Sequence, residues 1–470
     1  MRLTIKNYNS IHIKTLILIL VSFLSFISWN YCGILFIGCL VLYFYFTELS
    51  KEKHFIIRYL ENLIFYLILN IGITFWLYNI SFKECVGIIL ASSLLMSCAS
   101  IPYLITNNKI LHIILWVIFE ILNTKWDIAW PWLTYGNVMG NQWYLVQWYS
   151  YIGVYGGSIW VLIMSALFYS YWKKRKKIYL KFLIFLSLPL LFSYINYTKP
   201  ESNSRKYINA LSYIPRYEYN SYDKTKKIVE YIVNSDDTID LIVTPEMFYY
   251  DMNLTDYRRE KFQSLFRIIS KKNPNANIII GSDLKIDTIK FNGLVIHNNN
   301  TSYYKSKKKY VPVNEYTPPL LRPYFGESFY TKTPFDDTKI IERNLRTIPF
   351  ICYESLFSDF VSINSQKADY IIVCTSETFM SSSSLGKKQY LDIVRLRAIE
   401  NKKYLLKCSN DGISCLVTPS GKILQYLHED RIEFEELKLY ITKEQSFYNK
   451  LINTIVELFH YNNSDIDKHT

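Results

Sequence analysis

Glycine is scarce in this chain, 15 of 470 residues, well below its usual share of roughly 7%, which excludes collagen-like and Gly-rich low-complexity architectures. The eight cysteines (Cys32, Cys39, Cys85, Cys98, Cys352, Cys374, Cys408 and Cys415) include no Cys-x-x-Cys pair, and no histidine cluster has metal-ligand spacing. A structural zinc site is not expected, and neither is a disulfide framework in a chain of this size. Acidic residues are sparse before Pro200, 6 against 16 basic, but nearly balance the basic ones after it, 34 against 37. Most of the net charge of +13 therefore sits in the first half. There the basic residues fall between long apolar runs and not on a folded basic face, so nucleic acid is not an expected partner. With 50% hydrophobic and 17% aromatic residues the chain is not disordered.

Seven apolar runs precede Pro200: Thr15 to Trp29, Tyr31 to Phe46, Leu63 to Ile80, Cys85 to Ile105, Ile110 to Leu122, Tyr149 to Trp172 and Leu180 to Tyr197. Most approach the roughly 17 to 25 residues that a spanning helix needs, so seven transmembrane helices are expected. The run Ile110 to Leu122 is the shortest and could be re-entrant. Basic residues cluster in alternate loops: Arg2, Lys6 and Lys14; Lys51, Lys53 and Arg58; Lys109; and Lys173 to Lys177. These loops face the cytoplasm by the positive-inside tendency, and an odd number of crossings places everything after Tyr197 outside it. No small-residue cleavage site follows the first run, which reads as a retained anchor.

Between the fifth and sixth runs, residues 123–148 hold five of the ten tryptophans, Trp126, Trp130, Trp132, Trp143 and Trp148. Such rings favour the headgroup level, either as an aromatic belt or as an interfacial arm that shapes an entrance for lipid. Glu120 is an ionisable group at membrane depth, readable as functional or as a plain hydrogen-bonded carboxylate.

After Pro200 short apolar strands alternate with charged helical stretches. Strands are expected at Ile239 to Thr244, Asn277 to Gly281, Leu294 to His297, Ser302 to Lys307, Ile348 to Cys352, Asp369 to Thr375, Tyr404 to Cys408 and Gly412 to Thr418. Helices are expected at 256–272 and Lys387 to Asn401. The pattern argues for an α/β domain of two layered sheets flanked by helices over 200–441. A membrane helical bundle over 1–199 precedes it, and a tail over 442–470 follows. Within the tail, Phe447 to His460 reads as an amphipathic interfacial helix, with an eighth crossing as the alternative.

Three expected strand ends each carry one reactive group: Glu246, Lys307 and Cys352. A carboxylate, an ammonium and a thiol together suffice for acyl transfer: the carboxylate takes the thiol's proton, and the lysine favours thiolate and stabilises an oxyanion. Taken singly, each also has a structural reading: Cys352 as a core thiol, Glu246 as a loop carboxylate, and Lys307 as part of a basic run with Lys305, Lys308 and Lys309.

At these residues the sequence resembles the apolipoprotein N-acyltransferases, membrane-embedded members of the nitrilase (carbon–nitrogen hydrolase) superfamily. Ile351-Cys352-Tyr353-Glu354 matches that family's nucleophile motif, and Tyr310-Val311-Pro312-Val313-Asn314-Glu315-Tyr316 resembles its Leu-Val-Pro-Phe-Gly-Glu-Tyr. The family's spacing from that motif selects Lys307 and Glu315; Lys305 and Lys309 share the same strand face, so a slip in register would select another lysine. Further likenesses are Pro245-Glu246, Arg395-x-Arg397-Ala398-x-Glu400, Ser409-Asn410-x-Gly412-Ile413-Ser414, Trp130-Pro131-Trp132-Leu133, Gln147-Trp148 and Gly153-x-Tyr155-Gly156-x-Ser158. Departures are Thr244 for a tryptophan, Lys305 for a tyrosine, Val313-Asn314 for Phe-Gly, and Ser376-Glu377-Thr378-Phe379 for Asn-Asp-Ala-Trp.

The resemblance implies a membrane bundle of seven or eight helices carrying an α-β-β-α nitrilase-like sandwich. It also implies transfer of a fatty acyl chain from a membrane phospholipid to the N-terminal amine of a diacylglyceryl-cysteine lipoprotein, through a thioester on Cys352. Glu246 would be the base and Lys307 the oxyanion stabiliser, with Glu315, Tyr353 and Glu354 in support and Trp130, Trp132, Trp148 and Phe379 near the lipid entrance or a lid. Neither cofactor nor metal is expected. The protein would act as a monomer in the bacterial inner membrane, with its catalytic domain on the periplasmic side. Thr317 to Thr338 and Ser381 to Gly386 are candidate lids. A membrane-anchored amidase or nitrilase that uses water as acceptor, and a non-enzymatic membrane scaffold or transporter, are the alternatives.

Overall fold

The structure is a computed structural model that describes residues 2–173, 179–198, 206–216, 218–254, 266–298, 301–333, 337, 346–380, 382–428 and 432–466. Contacts divide the chain into two units. The first comprises Met1–Trp126, Trp130–Lys199 and Phe379–Leu396, and the second Asp127–Ala129, Pro200–Thr378 and Arg397–Thr470. The stretch Phe379–Leu396, which lies within the expected 200–441 domain, thus groups with the helices.

The first unit is helical. Among the described residues, five helices are long and apolar enough to cross a membrane: Ile11–Asn30, Phe55–Asn79, Phe82–Ala99, Tyr149–Trp172 and Tyr179–Tyr197. Two of the seven expected spans are shorter, Gly33–Glu48 and Lys109–Leu122, the latter of 14 residues. The charged stretch 174–178 lies outside the described residues. The helix Tyr149–Trp172 is broken at Gly153, whose φ of 62° and ψ of −170° suit only glycine. Polar side chains stitch the bundle together: Lys14 bonds Glu61 at 2.7 Å, and Asn70 donates to Ser93 at 2.9 Å.

Residues 123–148 include a buried stretch. Pro131 to Gly140 are buried in two short 3-10 turns, Pro131–Leu133 and Tyr135–Leu145. Glu120 holds this stretch in place by accepting from Tyr135 N (2.8 Å), and it also accepts from Trp116 Nε1 (3.1 Å) of its own helix. A Cβ on Gly136 would sit 2.0 Å from Val154 O, so the turn can lie against the helix only with glycine there. Gln389 anchors the segment Phe379–Leu396 within the same unit. Its Oε1 accepts from Trp76 (3.1 Å) and Trp132 (2.9 Å), and its Nε2 donates to Asn30 Oδ1 (3.0 Å) and Ile73 O (3.1 Å).

The second unit holds two sheets. In the first, β1 (Tyr207–Tyr213), β2 (Leu241–Val243), β3 (Tyr249–Asn253), β4 (Asn277–Ile286), β5 (Ile289–Asn298), β6 (Thr301–Ser306) and β12 (Phe434–Tyr440) run in the order β12-β1-β2-β4-β5-β6, with β3 beside β4. In the second, β7 (Phe350–Ile351), β8 (Ile371–Ser376), β9 (Leu405–Asn410), β10 (Ser414–Val417) and β11 (Ile423–Leu427) run β11-β10-β9-β8-β7.

Period-two alternation sends successive side chains of one strand into different layers. Leu241, Val243 and Ile279 meet Ile372, Leu406 and Leu416 between the sheets. Ile242, Ile278 and Ile280 face instead Ile228 and Ile232 of the helix Ser221–Asn234 and Phe266 and Ile269 of the helical stretch 266–272. The earlier part of the expected helix 256–272, residues 255–265, lies outside the described residues. Beside the second sheet, the helix Ser358–Asn364 is tied to the end of Ser384–Asn401 by Ser358 Oγ donating to Glu400 (2.9 Å) and Ser362 Oγ to Asn401 (3.0 Å). The result is the expected α-β-β-α sandwich.

The C-terminal helix Phe447–Ile466 is not among the five apolar spans. Its first turn is fixed to the sandwich: the hydroxyls of Tyr448 and Ser358 are 2.9 Å apart, and Asn449 Nδ2 donates to Asn401 Oδ1 at 2.7 Å.

Candidate active site

Glu246 lies three residues past β2, Lys307 one past β6 and Cys352 one past β7, so strand ends from both sheets supply the three groups. All three are buried. Lys307 Nζ bonds Glu246 Oε1 at 2.8 Å and Glu315 Oε1 at 2.7 Å. Burial works against the Lys307 ammonium, but the charges of Glu246 and Glu315 outweigh it and hold its pKa well above the ordinary lysine value. Burial pushes the Glu315 carboxyl up; Lys307 opposes that shift and Glu246 adds to it.

The lysine in this position is Lys307 and not its neighbours. Lys305 Nζ bonds Glu354 Oε2 at 2.8 Å, and Lys309 Nζ lies 4.8 Å over the Phe357 ring. Glu354 also accepts from Ile351 N (2.8 Å) and Lys308 N (2.6 Å), which ties the Cys352 turn to the end of β6. Tyr353 OH donates to Ala129 O at 2.7 Å, fixing the other side of that turn.

Cys352 has φ of 42°, a left-handed conformation that is strained for a side chain other than glycine. Its Sγ is 3.9 Å from Ser376 O. Burial is the main cause that raises the thiol pKa, the Glu246 charge adds to it and Lys307 opposes. The resting group is therefore a protonated thiol.

Glu246 is held by several donors. Its Oε1 accepts from Asn292 Nδ2 (2.6 Å) as well as Lys307, its Oε2 accepts from Ser376 N (2.9 Å), and its carbonyl accepts from Asn410 Nδ2 (2.9 Å). A Cβ on Gly281 would lie 2.1 Å from Pro245 O and 2.7 Å from Glu246 Cα, so β4 passes under this turn with no room for a side chain. Asn292 escaped the sequence reading, although a lone amide inside the apolar strand Phe291–Ile296 is a signal that could have found it. It also reaches Glu315 Oε1 at 3.2 Å, and its carbonyl accepts from Lys307 N at 2.9 Å.

The four lipid-entrance candidates belong to the helical unit and differ in setting. Trp132 and Trp148 are buried, Trp132 against Trp76 (5.0 Å between centroids) and Trp148 against Tyr149 (4.7 Å). Trp130 is half-buried and stacks on Trp132 at 5.7 Å, and Phe379 is exposed. Of the two candidate lids, Thr317 to Thr338 is only partly described, with Leu320, Tyr324 and Phe329 exposed. In the other, Ser383 is buried and caps the helix that begins at Ser384, its Oγ accepting from Gly386 N at 3.0 Å, so half of the expected loop is a helix start. No group of three or more His, Cys, Asp or Glu able to hold a metal ion occurs among the described residues.

Two sequence families match the chain: carbon–nitrogen hydrolase over residues 210–435, and the apolipoprotein N-acyltransferase N-terminal domain over residues 19–167. An apolipoprotein N-acyltransferase of Rickettsia bellii is 28% identical across 74% of this chain and 73% of its own length. That of Rickettsia prowazekii is 27% identical over 74% and 73%, and that of Nitrosomonas europaea 24% over 67% and 65%. A solved structure of a CN-hydrolase superfamily protein from Xanthomonas campestris is similar over 50% of this chain and 91% of its own, at 12% identity and a TM-score of 0.37.

Proposed function

Since this chain belongs to the apolipoprotein N-acyltransferase family, we propose that it moves a fatty acyl chain from a membrane phospholipid to the N-terminal amine of a diacylglyceryl-cysteine lipoprotein by way of a Cys352 thioester. It is a membrane protein and an acyltransferase of lipoprotein maturation; the donor, the thioester and the residue roles are our reading.

Glu246 takes the proton from the Cys352 thiol, and the sulfur attacks the ester carbonyl of the phospholipid. The carbonyl oxygen becomes an oxyanion beside the Lys307 ammonium and a backbone N–H. Collapse expels the glycerol oxygen, which takes the proton from Glu246 and leaves as lysophospholipid. The lipoprotein amine then attacks the thioester, Glu246 accepts the amine's proton, and collapse to the amide returns a thiolate that takes the proton back. Glu315 holds Lys307 in line, accepting also from Val311 N at 2.7 Å. Glu354 and Tyr353 hold the nucleophile turn.

The observation that carries this reading is the bridge made by Ser376. Its N–H binds the Glu246 carboxylate at 2.9 Å, while its carbonyl faces Cys352 Sγ at 3.9 Å, which keeps base and thiol on one short piece of backbone. Each buried CH₂ favours an apolar phase by roughly 0.8 kcal/mol, so two acylated substrates are best handled by a catalytic domain tethered to a membrane bundle. We assign residues 1–199 to that bundle and 200–441 to catalysis, Phe379–Leu396 being the stretch of the latter that groups with the helices. Trp130 and Phe379 are the aromatic groups we assign to lipid contact. The basic loops support a cytoplasmic face for Lys14, Lys53 and Lys109, and an odd number of crossings then puts catalysis on the periplasmic side of the inner membrane by a single copy of the chain.

The test is to incubate the purified protein with phospholipid and a diacylglyceryl-cysteine peptide. Acylated peptide amine, with lysophospholipid released in equal amount, is the expected product. Release of free fatty acid with no acylated peptide would mean that water is the acceptor and would overturn the proposal.

A further inference from the structure

A further buried ion pair joins the end of β8 to β9, and the mechanism above does not use it. Glu377 follows β8, Lys407 lies in β9, both are fully buried, and the Lys407 ammonium bonds Glu377 Oε1. Lys407 also donates to Ile413 O at 2.6 Å, and Ser409 Oγ donates to Glu377 Oε1 at 2.8 Å. A Cβ on Gly412 would lie 2.3 Å from the Glu377 carboxyl, so the following turn closes directly over the pair. Burying two charges costs several kcal/mol per ion, and well-packed apolar residues hold adjacent strands together at least as well. Stability alone is therefore a poor reason for the pair.

The backbone around it suggests a better one. Glu377 N donates to Asn410 O at 2.9 Å, and Asn410 Nδ2 donates to Glu246 O at 2.9 Å. The residue before Glu377 is Ser376, whose N–H holds the Glu246 carboxylate and whose carbonyl meets the Cys352 thiol. The ion pair thus clamps the two segments, Ser376-Glu377 and Ser409-Asn410, that hold the base from both ends.

We propose that Glu377 and Lys407 are positioning residues for acyl transfer, fixing Ser376 and Asn410 so that Glu246 stays within proton-transfer reach of Cys352. Neither side chain touches a reacting atom. The proposal rests on the reading of Glu246 and Cys352 as base and nucleophile.

The test uses the full chain in detergent micelles containing phosphatidylethanolamine, following acyl-adduct formation on Cys352 by intact mass at a series of lipid concentrations. Glu377→Gln keeps the shape and removes the charge; Glu377→Gln with Lys407→Met removes both charges and carries the test should the single variant not fold. In both, the saturating rate per folded molecule is expected to fall about tenfold or more, the scale of a small misplacement of reacting groups. Half-saturation is expected to move by less than about twofold, because the loss is confined to the step that needs the base. Lys407→Arg, which keeps the pair, is expected to restore most of the rate. Acylation of the double variant at the wild-type saturating rate would overturn the positioning role while leaving the acyl-transfer reading intact. Absence of any adduct on the wild type would overturn that reading, and this proposal with it.

Discussion

Lys305 Nζ lies 2.8 Å from Glu354 Oε2, with both side chains buried. This contact separates the two buried lysines of the basic run. Lys305 is committed to the carboxylate that fixes the Cys352 turn, and Lys307, two residues on, meets Glu246 and Glu315. Removing one partner of a buried pair strands the other charge at a cost of about 3–5 kcal/mol. Lys305→Met is therefore expected to lower the unfolding temperature sharply. Lys307→Met is expected to cost about 10²–10³ in the acylation rate, the usual loss of an oxyanion donor. Thermal unfolding in detergent and single-turnover acylation, measured on both variants, check the division of labour.

The left-handed backbone at Cys352 makes a separate stability prediction. Cys352→Ala and Cys352→Gly both remove the thiol, but only glycine relieves a φ of 42°. The glycine variant should be more stable than the alanine variant by about 1 kcal/mol, the reverse of the order expected in a strand or helix. Unfolding midpoints of the two variants test this.

Alkaline pH should destabilise the catalytic domain. Burial raises the thiols of Cys352 and Cys374 and pushes Cys408 up to about 12. Below about pH 8.5 these groups are protonated in the folded and unfolded chain alike, and their stabilising contribution is intact. Above it the unfolded chain loses protons that the folded one keeps, so stability falls by up to about 1.4 kcal/mol per pH unit for each thiol. Denaturation midpoints should drop between pH 8.5 and 10.5, and Cys408→Ala should flatten the slope.

Gly281→Ala should damage catalysis more than stability. The added methyl would meet Pro245 O at 2.1 Å and Glu246 Cα at 2.7 Å, forcing the base away from Lys307. We expect a loss of roughly a hundredfold in acylation, the scale of a displacement of about 1 Å, with the fold retained by circular dichroism.

Gln389→Leu should destabilise the helical unit, because it leaves the Trp76 and Trp132 indoles and the Asn30 amide oxygen without their Gln389 partner. Each orphaned buried group costs about 1–3 kcal/mol. Limited proteolysis near residue 389 reads the loosening directly.

The strand ends that carry the site were legible because buried strands such as Leu241–Val243 and Ile371–Ser376 are short apolar runs stopped by polar residues. The motif likeness around Cys352 and Glu315 supplied the rest of the reactive set. Pairings between distant segments left no such trace. β1 joins β12 along Tyr207 to Tyr213 and Tyr440 to Phe434, more than two hundred residues apart, with ordinary alternation in each. The pairing of Glu377 with Lys407 left none either, since a charged residue reads the same whether its partner is water or a buried counter-ion. The tryptophan-rich stretch was ambiguous for a related reason: an aromatic ring suits an interface and a packed interior equally, and Trp132 is buried by Trp76 and Gln389, which lie far from it in the sequence.

The central claim is that Cys352 carries the acyl chain. Its most direct test is the intact mass of the protein after incubation with phospholipid and no amine acceptor, peptide-mapped at residue 352. A gain of one fatty acyl group on Cys352, absent in Cys352→Ala and discharged by a diacylglyceryl-cysteine peptide, is the predicted result. An unmodified Cys352 in folded protein that still acylates the peptide would contradict the thioester route.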